Sequence, residues 1–265
     1  RKVTDLQNAF GPVWSADGSH VAFFSNNEKA PSMDYPDNLR VWLNTQNMSS
    51  LKTYQGPMIS ERGRGVVAWS NEGSLAYIVE KQGDKQRIHL TDPQFTAAKE
   101  IYVEGNRDML GYKTESINNI LFAGPAHLLI QSTLLNDYGK GLTFIVSLLD
   151  LKSLEMITLA NPGFIGGVSK DGSHVLYTCG DPADLCEFNI KTGHEKNLTQ
   201  TPALKETAAV YSPNGKKVYA VAYPPVDCSE ESCPPALFVI DLSTGKSKLL
   251  RHETDGSLRY GLTAP

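Results

Sequence analysis

Along the whole chain, short runs in which apolar positions adjoin or alternate with polar ones are separated by clusters of Gly, Asp, Asn, Ser and Pro. Alternation with a period of two marks β-strands, and punctuation of this kind marks turns. The segment Gly11-Pro12-Val13-Trp14-Ser15-Ala16-Asp17-Gly18-Ser19-His20-Val21-Ala22-Phe23 shows the unit most plainly: an apolar strand, a turn on Asp-Gly and a second apolar strand. It returns as Val67-Ala68-Trp69-Ser70-Asn71-Glu72-Gly73-Ser74-Leu75-Ala76-Tyr77 and as Gly167-Val168-Ser169-Lys170-Asp171-Gly172-Ser173-His174-Val175-Leu176-Tyr177. A further copy runs Val210-Tyr211-Ser212-Pro213-Asn214-Gly215-Lys216-Lys217-Val218-Tyr219-Ala220, and a degenerate one spans 120–130 without Asp-Gly. Asp-Gly and Asn-Gly in such hairpins predict type I′ turns, which need positive φ at both central residues.

Each copy is followed by a second hairpin. Its strands are clearest at 237–242 and 247–250, around the turn Ser243-Thr244-Gly245-Lys246. The segments 185–190 and 195–199 repeat it, and 39–44, 87–91 and 142–150 open its other copies. Four strands in each of five units is the period of a β-propeller. The expected architecture is one all-β domain over 1–265, with four-stranded antiparallel blades at about 9–54, 63–104, 117–160, 162–200 and 206–251. Residues 1–8 look like the tail of an outermost strand and 255–265 like an innermost one, so both are expected to belong to a closing or sixth blade.

The pattern at 14–23, Trp-Ser-x-Asp-Gly-x-x-Val-Ala-Phe, resembles the TolB-like, WD40-like (PD40-type) propeller repeat, found in bacterial envelope proteins and in the propellers of peptidases. The resemblance covers nearly the whole chain and implies the fold; function has to be argued from sites. Departures are visible: Val168 stands where other copies carry an aromatic residue, and only the last copy has Ser-Pro, at Ser212-Pro213.

Composition narrows the function. With 25 Lys and Arg against 29 Asp and Glu, the net charge is −4, and no basic run tracks a phosphate backbone, which argues against nucleic acid as partner. No apolar stretch is long enough for a membrane-spanning helix. The four cysteines fall as two close pairs, Cys179/Cys186 and Cys228/Cys233, without zinc-ligand spacing. Two local disulfides are expected, and with them a periplasmic or extracellular location.

In a four-stranded blade the first and third turns share one face of the disc, while the second turn and the connection to the next blade share the other. The first and third turns here are short. The insertions 26–37, 133–141 and 224–235 and the connections 55–64 and 104–119 gather on the opposite face, the expected binding face. Met33, Asp34, Tyr35, Pro36, Arg62, Arg64, Tyr112 and Tyr138 are its candidate partner contacts, being aromatic, forked or loop-borne.

Other constellations fall away. His20 and His174 share a repeat position that should face solvent, far apart on separate blades, so no metal site is expected. No Gly-x-Ser-x-Gly elbow and no Ser, His and Asp in motif context are present, so no catalytic residues and no cofactor are expected. Trp14, Trp69 and Tyr211 share one position and are expected to pack between blades. The acidic run 227–231 lacks an EF-hand pattern. The reading is a non-enzymatic scaffold of the bacterial envelope that binds an envelope protein. The alternative is the propeller of a longer chain, a prolyl-oligopeptidase-type peptidase or a membrane sensor.

Overall fold

The repeat closes its first hairpin with one set of bonds. Ser15 N donates to His20 O at 3.0 Å and Gly18 N to Ser15 O at 2.9 Å. Ser169 makes both bonds with His174 and Gly172, and Ser212 makes them with Lys217 and Gly215. The serine hydroxyl accepts the N–H of His20, His174 or Lys217 at 2.9, 2.9 and 3.0 Å. It donates to the side-chain oxygen of Asp17, Asp171 or Asn214 at 2.6, 2.7 and 2.8 Å. In the second copy, one residue shorter, Ser74 N donates to Ser70 Oγ at 2.8 Å.

Within these turns positive φ falls on Gly18, Gly73, Gly172 and Gly215 and not on the residues before them. This corrects the type I′ expectation: the turn is of type I, followed by a left-handed glycine. The physical reason is the acid or amide side chain. Asp17 Oδ1 accepts Ser19 N at 3.0 Å and Asn214 Oδ1 accepts Lys216 N at 3.1 Å, an Asx arrangement made with the right-handed backbone.

The structure, a computed structural model, describes residues 9–25, 38–42, 50–54, 66–79, 85–103, 112–136, 142–180, 183–201, 204–223 and 235–252. Blade one comprises β1 (Ala9–Trp14), β2 (Val21–Ser25), β3 (Asn38–Trp42) and β4 (Leu51–Thr53). Blade two holds β5 (Val67–Trp69), β6 (Leu75–Val79), β7 (Arg87–Thr91) and β8 (Lys99–Val103). Blade three holds β9 (Tyr112–Ala123), β10 (His127–Asn136), β11 (Leu142–Asp150) and β12 (Met156–Ala160). Blade four holds β13 (Ile165–Val168), β14 (His174–Cys179), β15 (Asp184–Asn189) and β16 (His194–Asn197). Blade five holds β17 (Lys205–Tyr211), β18 (Lys217–Tyr223), β19 (Ala236–Asp241) and β20 (Ser247–His252). Every blade is an antiparallel meander in chain order, so the described residues form the all-β propeller of five four-stranded sheets that the repeats predicted, while residues 1–8 and 255–265, expected in a closing or sixth blade, lie outside them.

Both faces of the middle strands are apolar. β2 and β6 are buried along their whole length, and Leu128, Leu129 and Ile130 of β10 are fully enclosed. Such sheets must be covered on both sides, and each packs on the next: β1 on β5, β5 on β9, β9 on β13 and β13 on β17. Blade three is the tallest. β9 pairs with β10 out to Tyr112 opposite Asn136, so the connection expected through 119 and the insertion expected from 133 are both partly strand.

The first turns of blades three and four touch. A Cβ added at Gly172 would stand 2.3 Å from Gly124 Cα, and Gly172 has φ +70°. At Gly215, with φ +68°, a Cβ would meet open space. Gly172→Ala is therefore expected to lower the unfolding free energy in urea by roughly 2–4 kcal/mol, combining overpacking with an unfavourable backbone, and Gly215→Ala by about 1 kcal/mol. Equal losses for the two variants would refute the contact.

Candidate functional site

The two ends of the propeller differ. At the turn end, Asn71 Nδ2 of blade two reaches Lys170 O of blade four at 3.4 Å, beside the Gly124 and Gly172 contact. Three blades thus bring their first turns together there. Second turns and blade-to-blade connections occupy the other end. Their described parts include residues 54, 66, 85–86, 161–164, 180, 183, 198–201 and 204.

Asp184, the first residue of β15, organises this sector. Its Oδ1 accepts Thr201 N at 3.0 Å, Gln200 N at 3.3 Å and Thr199 Oγ1 at 3.4 Å, and its Oδ2 accepts Asn197 Nδ2 at 2.8 Å. The Thr199 hydroxyl also accepts Leu185 N at 2.9 Å. One carboxylate therefore gathers Thr199, Gln200 and Thr201 of the connection after β16, together with Asn197 at the end of that strand. Beside it, the expected disulfide Cys179–Cys186 joins β14 to β15, with Cα atoms 5.9 Å apart. Cys179 pairs with Asp184 across the hairpin, so the cross-link and the carboxylate hold the same end of the blade. A disulfide fits an oxidising compartment.

Of the other sequence candidates, Met33, Asp34, Tyr35, Pro36, Arg62, Arg64, Tyr138, Cys228 and Cys233 lie outside the described residues. Tyr112 opens β9 on the loop-bearing end instead of lying in a connection.

Sequence reasoning missed Glu206. It is 3% exposed, and its N–H donates to Ala183 O at 2.9 Å. In blade three the equivalent residue is Ile117, also 3% exposed, whose N–H donates to Gln86 Oε1 at 2.6 Å. Ala183 and Gln86 both stand immediately before the third strand of the preceding blade. A carboxyl group thus occupies an isoleucine's seat. Thr201 Oγ1 donates to Glu206 Oε1 at 2.6 Å, while Oε2 is buried without a partner. Burial raises its pKa above the ordinary 4.5, the Thr201 bond opposes this, and Asp184 adds to the rise.

The Ser, His and Asp side chains that do meet are turn locks. Ser173 Oγ contacts Asp171 at 2.7 Å and His174 Nδ1 at 2.7 Å. The carboxylate thus bonds the serine and not the imidazole, the reverse of an arrangement that activates a nucleophile. Ser19, Asp17 and His20 repeat it in blade one. Hydrogen bonds from Ser169 and Ser173, in that order, hold Asp171 far below the usual carboxylate range. The histidines do not project freely into solvent as expected. The His20 ring lies 5.7 Å from that of Trp69, and His174 Nε2 meets Asn189 Nδ2 at 3.0 Å, so both are half-buried by neighbouring side chains. Among the described residues no three His, Cys, Asp or Glu side chains are grouped to hold a metal ion.

The shared aromatic position divides. Trp69 is 9% exposed and its Nε1 donates to Val13 O of blade one at 2.9 Å. Tyr211 is 6% exposed and its hydroxyl donates to Glu187 of blade four at 2.7 Å. Both reach back onto the preceding blade, as expected. Trp14, at 55% exposed, does not.

No family model matches the sequence, and no curated protein is similar to it in sequence. Solved structures share the fold. A TolB of Agrobacterium tumefaciens matches with a TM-score of 0.53 at 14% identity, over 91% of this chain and 79% of that one. The β-propeller domain of the trilobed protease of Pyrococcus furiosus matches at 0.61 and 14% identity, over 94% and 72%. A prolyl endopeptidase matches at 0.64 and 10% identity, over 93% of this chain and 34% of that one. The chain shares its β-propeller fold with TolB and with the propeller domains of peptidases.

The carboxyl of Glu206 holds its proton more tightly in the folded than in the unfolded chain. Its effect is therefore unfavourable once pH rises above 4.5, growing until the folded pKa is passed. Glu206→Gln is expected to raise the melting temperature at pH 8, by roughly 1–3 kcal/mol of stability, and to leave it unchanged at pH 4. Parallel melting profiles for parent and variant between pH 4 and 8 would contradict this assignment.

Proposed function

We propose that this propeller is a non-enzymatic scaffold of the bacterial envelope that takes a protein partner on its loop-bearing end. The observation that carries the reading is the asymmetry of the two ends. First turns of three blades meet at one end, through Asn71, Gly124, Lys170 and Gly172, whereas the other carries the long insertions and connections. Loops on a rigid scaffold are where recognition concentrates. The Cys179–Cys186 cross-link and the Asp184 carboxylate restrain part of that end, which reduces the ordering cost of binding. Shared fold with TolB and the presence of a disulfide support the periplasm as the location. Met33, Asp34, Tyr35, Pro36, Arg62, Arg64, Tyr112 and Tyr138 are the proposed contacts.

A second reading has its own support: the prolyl endopeptidase match covers nearly all of this chain but only 34% of that protein. On this reading the propeller is one domain of a larger chain and its loop-bearing end faces a catalytic domain.

Cross-linking mass spectrometry on intact envelopes separates the two. The scaffold reading expects loop peptides of 26–37 and 55–64 linked to a different envelope protein. It also expects the triple change Asp34→Lys, Arg62→Glu and Arg64→Glu to weaken that association by roughly tenfold or more. Links confined to another domain of the same chain would transfer the case to the second reading.

A further inference from the structure

The third turns of blades three, four and five share one backbone bond. Leu154 N donates to Asp150 O, Gly193 N to Asn189 O and Gly245 N to Asp241 O, at 2.9, 2.9 and 2.7 Å. The residue so held lies in the left-handed region each time, with φ +61°, +67° and +68°. Blades four and five fill the seat with glycine, which adopts it without strain, whereas blade three carries a leucine. Phe95 in blade two also has positive φ, +58°, but its ring packs on those of Tyr54 and Tyr77, with centroids 5.5 and 6.1 Å away. Leu154 joins no core cluster among the described residues and is 46% exposed. An apolar side chain is therefore held out into solvent on a strained backbone, at the turn end of the disc.

Around it the fold assembles a basic surface that no run of the sequence displays. Lys152, Lys191 and Lys246 stand in the third turns of blades three to five, and Lys170, Lys216 and Lys217 in the first turns of blades four and five, which share that face; all six are exposed. Among the described residues none of the six makes an ion pair. The aspartates of these turns are engaged locally. Asp150 accepts Lys152 N and Ser153 N at 2.8 and 2.7 Å, Asp241 accepts Ser243 N and Thr244 N at 3.0 and 3.1 Å, and Asp171 accepts the hydroxyls of Ser169 and Ser173. We propose that the turn end of blades three to five is a membrane-contact face that docks on the headgroups of an anionic phospholipid bilayer, with Leu154 entering the interface. A lysine brought to such a surface favours partition by roughly fivefold, and an apolar side chain set among the lysines adds the second signal that lasting attachment requires. The whole chain carries a net charge of −4, so attraction is confined to this face and orients the disc. The loop-bearing end then points away from the bilayer and stays free for a protein partner; only the envelope location is taken from the proposed function.

The test is co-sedimentation of the full chain with phospholipid vesicles near neutral pH and at low ionic strength. Vesicles of about one-third phosphatidylglycerol in phosphatidylcholine are expected to take up the protein, and pure phosphatidylcholine vesicles are not, with the bound fraction falling as salt is raised. Lys152→Glu combined with Lys191→Glu is expected to weaken partition by roughly tenfold or more, and Lys205→Glu, at the start of β17 on the opposite end, to leave it unchanged. Leu154→Gly is expected to weaken it severalfold while the melting temperature stays equal to or above the parent's, because glycine holds the same seat in blades four and five. Absence of uptake by anionic vesicles, equal uptake by both kinds, or an equal loss in Lys205→Glu would overturn the proposal. Binding that falls with the lysine changes but is indifferent to Leu154→Gly would assign the face to a soluble polyanion and equally overturn it. The partner on the loop-bearing end is read separately, by the cross-links, and stands or falls without the vesicle result.

Discussion

A four-stranded sheet that is apolar on both faces cannot stand alone in water, and the described blades are sheets of this kind. The seam between consecutive blades is accordingly the interaction on which the rest depends. Each large side chain buried there, such as Tyr77, Tyr177 or Leu185, contributes about 1.5–3 kcal/mol, whereas a hydrogen bond contributes about 0.5–1.5 kcal/mol net. Apolar burial therefore supplies most of the cohesion. The hydrogen bonds that cross the seams select the register: Trp69 to Val13 and Tyr211 to Glu187 towards one end, Ile117 to Gln86, Ile165 to Gln131 and Glu206 to Ala183 towards the other.

Seams built this way give the propeller two unlike ends. Short locked turns draw blades two, three and four together at one end, where Gly124 and Gly172 pass without side chains between them. The opposite end is free to carry insertions, and the tall hairpin of β9 and β10 rises there. Polar chemistry is concentrated on that side in blades four and five. Asp184 satisfies its oxygens with N–H and O–H donors, but Glu206 keeps one oxygen unpaired in a place where blade three uses isoleucine. A buried carboxyl whose pKa is raised disfavours folding near neutral pH, while the N–H of residue 206 is tied to the preceding blade through Ala183 O, as that of Ile117 is through the Gln86 side chain.

Much of this was legible from sequence because the repeat carries its own turn chemistry. The bonding roles of Ser15, Asp17 and Gly18 are kept in blades four and five, with Asn214 in place of the acid in blade five, and those of the serine and glycine in blade two, so the strand pairs and their order followed from spacing. The turn type was not legible. Asp-Gly suits type I′ as well as a type I turn with a left-handed glycine, and only the bond from Ser19 N to Asp17 decides between them. Trp14 and Trp69 look alike because their local sequences are alike, while burial depends on the neighbouring blade. Glu206 went unread for a related reason. Counted back from the shared aromatic position, the equivalent residues are Ala9, Arg64, Ile117, Gly163 and Glu206, a mixture with no visible polarity rule.

Amide hydrogen exchange tests the central claim, that interblade ties make the described blades one cooperative body. The account predicts that the amides of Ile117, Ile165 and Glu206, whose acceptors belong to the preceding blade, exchange only with global unfolding and share one free energy of opening. Three distinct opening energies, with each blade exchanging independently of its neighbours, would contradict it.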